Sequence, residues 1–133
     1  MEIKSIYGPR ISMAIELIWN TFLQFEAPDY SDEGIKSFKD FIDSKEIIST
    51  LEFWGAYDGG ELKGVIATNE NRGHICCFFV AAVHHRQGIG RKLWEHLLEN
   101  SECSVITVNS SPYAVAFYRK LGFTDTDREQ LSD

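Results

Sequence analysis

The chain of 133 residues is acidic, with 20 Asp and Glu residues against 13 Lys and Arg residues and a net charge of −7. This length predicts a single domain, residues 1–133, with one hydrophobic core. The negative charge argues against binding to nucleic acid or to anionic membranes. The longest apolar run, Ile75 to Val83, is too short to span a bilayer.

The N-terminus and the cysteines indicate a reducing compartment. No basic segment followed by an apolar one opens the chain, so no signal peptide is predicted. The three cysteines are Cys76, Cys77 and Cys103, an odd number with neither a disulfide pattern nor zinc-ligand spacing. We therefore expect reduced thiols, a cytoplasmic location and no metal.

The first part of the chain reads as a strand followed by two helices. Glu2 to Ile6 alternates polar and apolar residues, which predicts a strand. Gly8-Pro9 opens a helix, since Pro suits the first helical position, and Ser31 caps a second one. Apolar residues at helical spacing form the inner faces of these helices: Ile11, Ile15, Ile18, Trp19 and Phe22 in the first, and Ile35, Phe38 and Ile42 in the second.

An antiparallel meander is predicted next. Ser44 to Leu51 fits either a short helical turn or an extended connector. Glu52 to Tyr57 and Leu62 to Thr68 read as strands joined by Asp58-Gly59-Gly60, a strong hairpin signal. His74 to Val80 is the fourth strand.

The last part predicts a parallel crossover. A helix from Ile89 to Asn100 leads to a fifth strand, Ser104 to Asn109, and such a connection makes strands four and five parallel. Ser111 caps a final helix with Pro112 at its first position. Gly122 ends that helix, and Phe123 offers the apolar contact that often accompanies such an end.

The stretch from Gly73 to Asn100 predicts an anion site. A strand, the Gly-containing turn HHRQGIG and a helix N-terminus follow one another, and backbone N–H groups at a helix start attract anions. The first helical turn carries Arg91 and Lys92, where Asp or Glu is usual. A solvated basic loop is the alternative. The P-loop pattern fails because no hydroxyl residue follows Gly90, and the third Gly of a dinucleotide fingerprint is replaced by Leu93.

Two segments resemble the signatures of one family. VAAVHHRQGIGRKLW is similar to the pyrophosphate-binding motif of the GCN5-related N-acetyltransferases (GNAT), and NSSPYAVAFYRKLGF is similar to their second signature. Their order and spacing make the pair more specific than either motif alone. The resemblance implies an α/β fold with a mixed, mostly antiparallel sheet. Its central strands four and five would be parallel and splayed, and about four helices would flank the sheet.

The resemblance also implies a co-substrate, acetyl-coenzyme A. The pantetheine arm would run along strand four against the backbones of Phe78 and Val80, as an added strand does, and Asn109 would hydrogen-bond the coenzyme. His85 stands where the family usually has Arg or Gln. The residues expected to hold the pyrophosphate are His85, Arg86, Gln87, Gly88, Ile89, Gly90 and Arg91.

Catalysis would transfer the acetyl group to an amine by direct attack. Tyr118 is implied as the general acid that protonates the leaving thiolate, although a Tyr on an amphipathic helix is more often structural. The base that deprotonates the amine could be Glu26, Asp29, His74 or water, and no spacing selects among them. The acceptor pocket would include the loop after the first helix.

The resemblance implies another strand after Phe123. Residues 124–133 are short and polar, so we expect this strand to be missing or supplied by a partner, and a homodimer is one such arrangement. Three alternative functions stay open. They are a non-catalytic acyl-coenzyme A sensor, an adenine-nucleotide binder of another class, and transfer of an acyl group other than acetyl.

Overall fold

A computed structural model describes residues 1–81 and 88–124. Its strands form a single mixed sheet in the order β1-β2-β3-β4-β5. Neighbouring strands from β1 to β4 are antiparallel, and β4 and β5 are parallel. The strand order and the parallel pair confirm the fold class predicted from the sequence. The strands are β1 (Glu2–Ile6), β2 (Glu52–Asp58), β3 (Glu61–Thr68), β4 (His74–Val80) and β5 (Thr107–Val108).

Five α-helices occur in the described part of the chain. Single 3-10 turns precede α1, follow it and precede α5, at Gly8–Arg10, Ala27–Asp29 and Pro112–Ala114. The Ser31 hydroxyl accepts the Gly34 N–H at 3.0 Å, as expected of the cap on α2. The ambiguous segment after α2 contains α3, a single turn. The helices are α1 (Ile11–Phe25), α2 (Asp32–Asp43), α3 (Lys45–Ile48), α4 (Ile89–Asn100) and α5 (Val115–Lys120).

The sheet separates two apolar clusters. On one face α1, α2 and α3 cover a cluster that includes Ile18, Phe22 and Phe79. On the other face α4 and α5 cover a cluster that includes Phe78, Leu93 and Tyr118. The alternation of side chains along a strand explains why the neighbours Phe78 and Phe79 belong to different clusters. A helix-covered sheet of this kind buries apolar surface on both faces, which is the main source of its stability.

The turns of the meander follow the predicted chemistry. Gly59 and Gly60 have φ of +63° and +83°, both positive as a two-residue hairpin turn requires. The turn joins Asp58 to its partner Glu61. Beyond it, a Cβ at Gly64 would lie 3.1 Å from Cγ2 of Ile89 and 3.2 Å from Cδ1 of Leu93. The absence of a side chain there lets the first turns of α4 lie close against β3.

The fifth strand is shorter than predicted. Only Thr107–Val108 pairs with β4, in the register His74 with Thr107 and Ile75 with Val108. In that register residues 104–106 face the turn before His74, which offers no strand to pair with. Residues 109–110 face the β4 segment that begins at Cys76, where a bulge interrupts the ladder with β3.

Helix α5 ends as the sequence predicts. The Phe123 N–H donates to the Tyr118 carbonyl at 3.1 Å, and the Gly122 N–H donates to the Arg119 carbonyl at 3.0 Å, which is the Schellman pattern. The Phe123 ring then packs 4.8 Å from Trp94. Among the five described strands, β5 forms the edge of the sheet opposite β1. The expectation of a missing final strand concerns residues 124–133, of which 125–133 lie outside the described part of the chain.

Among residues 1–81 and 88–124, no helix has both the length and the apolar character that crossing a membrane requires.

Candidate active site

An opening lies between β4 and β5. The two strands share only the pairs His74 with Thr107 and Ile75 with Val108 in the described structure, and β4 then continues for five residues to Val80. The bulge supports this divergence. Thr68 pairs with Ile75 and Ala67 with Cys77, so Cys76 is an extra residue in β4. A bulge bends its strand and increases the local twist, here at the point where the two strands separate.

The main chain of β4 faces this opening at alternate residues. The Ala81 N–H donates to the Lys63 carbonyl at 2.9 Å, toward β3. In an antiparallel ladder every second residue bonds to the same neighbour. Phe79 therefore also bonds toward β3, whereas the N–H and C=O groups of Phe78 and Val80 point to the β5 side.

Helix α4 begins beside the end of β4. Gly88 is its N-cap and has φ of +79°, a left-handed conformation that suits glycine. Ile89 and Gly90 are buried, and a Cβ at Gly90 would lie 2.7 Å from Cζ of Phe117. The exposed Arg91 donates from Nη2 to the Lys120 carbonyl at 3.0 Å. The first turn of α4 is thereby connected to α5.

Some of the predicted site residues lie in the described part of the chain and some lie outside it. His85, Arg86 and Gln87 lie outside the described residues. Asn109 directly follows β5 and is exposed. The structure thus brings Phe78, Val80 and the first turn of α4 to one end of the sheet, at the opening.

Tyr118 lies on the α4 side of the opening. Only 7% of its surface is exposed, and its ring contacts Phe78, Phe117 and Phe123 at centroid distances of 6.0, 5.4 and 5.3 Å. Burial raises the pKa of the phenol well above its usual value, and the nearby charge of Glu26 raises it further. Tyr118 is therefore a neutral proton donor throughout the physiological pH range.

Glu26 is the C-cap of α1 and is partly buried. Burial raises the pKa of its carboxyl, and a hydrogen bond from the Ser111 side chain partly offsets this increase. Burial is the main reason that the pKa of Cys77 is raised, and the Glu26 charge adds a smaller increase there, as it does for Tyr118. Cys77 belongs to the cluster under α1, and Tyr118 belongs to the cluster under α4. The ring of Phe25, the residue before Glu26, stacks on Tyr113, so the end of α1 lies beside the turn that precedes α5.

The other two candidate bases are placed differently. Asp29 is exposed in the 3-10 turn after Glu26. His74 begins β4, at the end of the strand opposite Val80, and its Nδ1 lies 2.7 Å from Oγ1 of Thr107. Val80 is six positions after His74 along the strand, a distance of roughly 20 Å. Burial lowers the pKa of His74, so its imidazole is neutral at physiological pH.

Ser111 has a second contact that the sequence did not reveal. The sequence predicts it as a helix cap, and its Oγ does accept the Ala114 N–H at 3.3 Å. It also hydrogen-bonds to Glu26, a residue 85 positions earlier in the chain. Nearby, the rings of Phe25 and Tyr113 stack at 5.3 Å. No sequence signal links these pairs, because they come from separate segments that only the fold brings together.

Comparison with known proteins identifies the family. A family model described as an acetyltransferase (GNAT) domain matches residues 26–133. Because this match spans most of the chain, the protein belongs to the GNAT family, a class of acetyl-CoA-dependent N-acetyltransferases. Among curated proteins, none matches the sequence.

Solved structures share the fold at low sequence identity. A GCN5-related N-acetyltransferase from Rhodopseudomonas palustris has a TM-score of 0.82 at 17% identity, with 94% of this chain and 82% of that chain covered. A predicted acetyltransferase from Clostridium acetobutylicum, solved with acetyl-CoA, has a TM-score of 0.68 at 16% identity, covering 96% and 92%. The apo aminoglycoside 6'-N-acetyltransferase AAC(6')-IG from Acinetobacter haemolyticus has a TM-score of 0.62 at 16% identity, covering 95% and 92%.

Proposed function

We propose that this protein transfers an acetyl group from acetyl-CoA to an amine by direct attack within a ternary complex. The observation that carries the proposal is the opening between β4 and β5, toward which the main-chain groups of Phe78 and Val80 point. An extended pantetheine arm can bond to such an edge as an added strand does. The Clostridium acetobutylicum relative was solved with acetyl-CoA, and the Acinetobacter haemolyticus relative is an N-acetyltransferase for aminoglycosides.

The pyrophosphate of acetyl-CoA would bind at the start of α4. The N–H groups at a helix N-terminus and the positive end of its dipole favour phosphate. Gly88 at the N-cap and the buried Gly90 allow a close approach of the backbone. The proposed contacts are the backbone and side-chain donors of His85, Arg86, Gln87, Gly88, Ile89, Gly90 and Arg91, together with Asn109 for the pantetheine arm.

Tyr118 would serve as the general acid. Its phenol is protonated at neutral pH and lies on the side of β4 that carries Phe78. The leaving thiolate accumulates negative charge as the C–S bond breaks, and the phenol O–H can supply the proton that it needs. The Val80 N–H would polarise the thioester carbonyl before attack, in the manner of an oxyanion hole.

The test is a calorimetric titration of the protein with acetyl-CoA, with ATP and NAD as controls. We expect one site with a Kd in the micromolar range, about −8 kcal/mol. No heat with acetyl-CoA, or tighter binding of ATP or NAD, would contradict the proposal. A non-catalytic sensor would bind acetyl-CoA but release no coenzyme A thiol when amines are added.

A further inference from the structure

A partly buried acidic residue, Glu26, follows α1. Glu26 is the C-cap of α1, where its backbone N–H donates to the Phe22 carbonyl at 2.9 Å. Its side chain is partly buried and accepts a hydrogen bond from Ser111, which is 5% exposed. The end of α1 is thereby joined to the N-cap of the 3-10 turn that precedes α5.

An aromatic pair lies next to this contact in the chain. Phe25 directly precedes Glu26, and Tyr113 follows Ser111 by two residues. Their rings stack 5.3 Å apart at an angle of 24°, and Tyr113 remains 48% exposed. A carboxylate beside exposed aromatic surface favours an ammonium ion that carries an apolar group, because the charge and the rings attract different parts of one molecule.

We propose that Glu26 accepts the proton of the acceptor, a primary ammonium ion with an apolar or aromatic substituent that packs on Phe25 and Tyr113. This inference rests on the proposed acetyl transfer. Ser111 is a positioning residue, because its hydroxyl accepts from the Ala114 N–H and donates to the Glu26 carboxylate. Asp29 is exposed, and His74 begins the far end of β4, so neither shares this position.

The proposed reaction exchanges the C–S bond of the thioester for a C–N bond. The ammonium gives one proton to the Glu26 carboxylate, and the neutral nitrogen then forms a C–N bond to the thioester carbon. As the C–S bond breaks, its electron pair goes to sulfur, which takes the proton of Tyr118. The nitrogen loses its second proton, which restores the Tyr118 phenol, and Glu26 releases its proton to solvent. The net result is an amide, coenzyme A thiol and one proton.

The protonation state of the base, Glu26, also affects the acid strength of Tyr118. Its negative charge raises the pKa of Tyr118. When Glu26 accepts a proton this charge disappears, so Tyr118 becomes a stronger acid at the moment when the leaving sulfur needs a proton. Two titrating groups that respond to each other in this way divide the acid and base roles between them.

The experiment measures coenzyme A thiol release with acetyl-CoA and 2-phenylethylamine as the probe acceptor, and n-butylamine as the smaller comparison. We expect Glu26→Gln to lower kcat/KM by about 10²–10⁴-fold while acetyl-CoA affinity is kept. Glu33→Gln, at an exposed carboxylate in the first turn of α2, is the matched control. Asp29→Asn tests the rival base. A loss of rate in Asp29→Asn with full rate in Glu26→Gln would overturn the inference.

The pH profile separates positioning from structure. Among the described residues, the Glu26 charge acts on Tyr30 in its own loop, Cys77 on β4 and Tyr118 on α5, and Asp29 lies three positions further along the loop. Ser111→Ala removes the hydrogen bond that favours the carboxylate, so the acidic limb of kcat/KM should move to higher pH. Ser111→Thr, which keeps the hydroxyl, should restore it. An acidic limb that stays in place in Ser111→Ala and in Glu26→Gln contradicts the assignment.

A binding measurement distinguishes failure of this inference from failure of the proposed function. The Glu26 side-chain carbon resonance is followed in the acetyl-CoA-loaded protein as 2-phenylethylamine is added, with 2-phenylethanol as the neutral control. A shift with the amine alone supports the acceptor site. If acetyl-CoA binds but neither turnover nor a shift occurs with either amine, the inference fails while the coenzyme site stands. If acetyl-CoA does not bind, both fail.

Discussion

Phe117 lies so close to Gly90 that a Cβ at Gly90 would fall 2.7 Å from Cζ of the ring. Gly90 is in the first turn of α4, and Phe117 is in α5. The Phe117 ring also packs edge-on against Phe78 of β4 at 5.1 Å. The two sequence motifs are therefore parts of one packed unit around the end of β4, and a change in one should be felt in the other.

Gly90→Ala should destabilise the protein by about 1–2 kcal/mol, because the new methyl group overpacks the contact with Phe117. The improved helix propensity of Ala, about 1 kcal/mol, offsets part of a larger steric cost. Acetyl-CoA binding should weaken as well, since the start of α4 must move. Urea unfolding and calorimetry measure the two effects. Glu95→Ala, on the exposed side of α4, should change neither.

Tyr118→Phe should lower kcat by about 10²–10⁴-fold and leave acetyl-CoA affinity unchanged. Phe keeps the ring contacts with Phe78 and Phe123 and removes only the proton donor. Thiol release with a primary amine measures the rate, and calorimetry measures the affinity. Tyr7→Phe, at a residue that is 74% exposed, is the control. Full activity in Tyr118→Phe would exclude the general-acid role.

Glu26→Gln should make the protein more stable at neutral pH. Burial raises the pKa of Glu26 in the folded state, so the native protein binds this proton more tightly than the unfolded chain does. The unfolding free energy of the natural protein therefore falls as pH rises from the ordinary Glu value through the raised one. Gln cannot ionise, so the unfolding free energy of the variant does not fall for this reason.

The measurement is urea unfolding of both proteins at about pH 4 and about pH 7. The advantage of the Gln variant should appear at the higher pH and vanish at the lower one. A stability gain together with lost turnover would show that the carboxylate is retained for function. A Gln variant that is less stable than the natural protein at neutral pH would contradict the expected sign.

Arg72→Ala should cost about 1–2 kcal/mol of stability. Arg72 donates from Nε to Glu52 at 2.8 Å and from Nη1 to the Asn100 carbonyl at 2.7 Å, and its guanidinium lies 5.3 Å over Trp54. This side chain connects the turn before β4 to the end of α4. Thermal or urea unfolding measures the loss.

Lys36→Ala is the control for Arg72, since it breaks an exposed pair with Asp40 on α2. Such i,i+4 pairs are worth about 0.3–0.5 kcal/mol. If the two variants lose the same unfolding free energy, the contacts of Arg72 are worth no more than an ordinary surface ion pair.

Local patterns were sufficient for most elements. Period-two alternation predicted β1, and helical spacing predicted α1 and α2, because each pattern reflects which side chains face the sheet. Asp58-Gly59-Gly60 predicted the hairpin for a similarly local reason, the positive φ at both glycines. The length of β5 could not be predicted in this way. Its pairing depends on where β4 begins and where the bulge at Cys76 lies, and both are properties of the neighbouring strand.

The sequence by itself determined the family, the order of the strands and the residues of the two motifs, since these depend on residue types at short spacing. Only the tertiary structure decided that Glu26 meets Ser111, that Phe25 stacks on Tyr113 and that the His74 ring lies 2.7 Å from the Thr107 hydroxyl. These relationships join segments tens of residues apart. They depend on how the helices pack on the two faces of the sheet, and no local sequence pattern determines that packing.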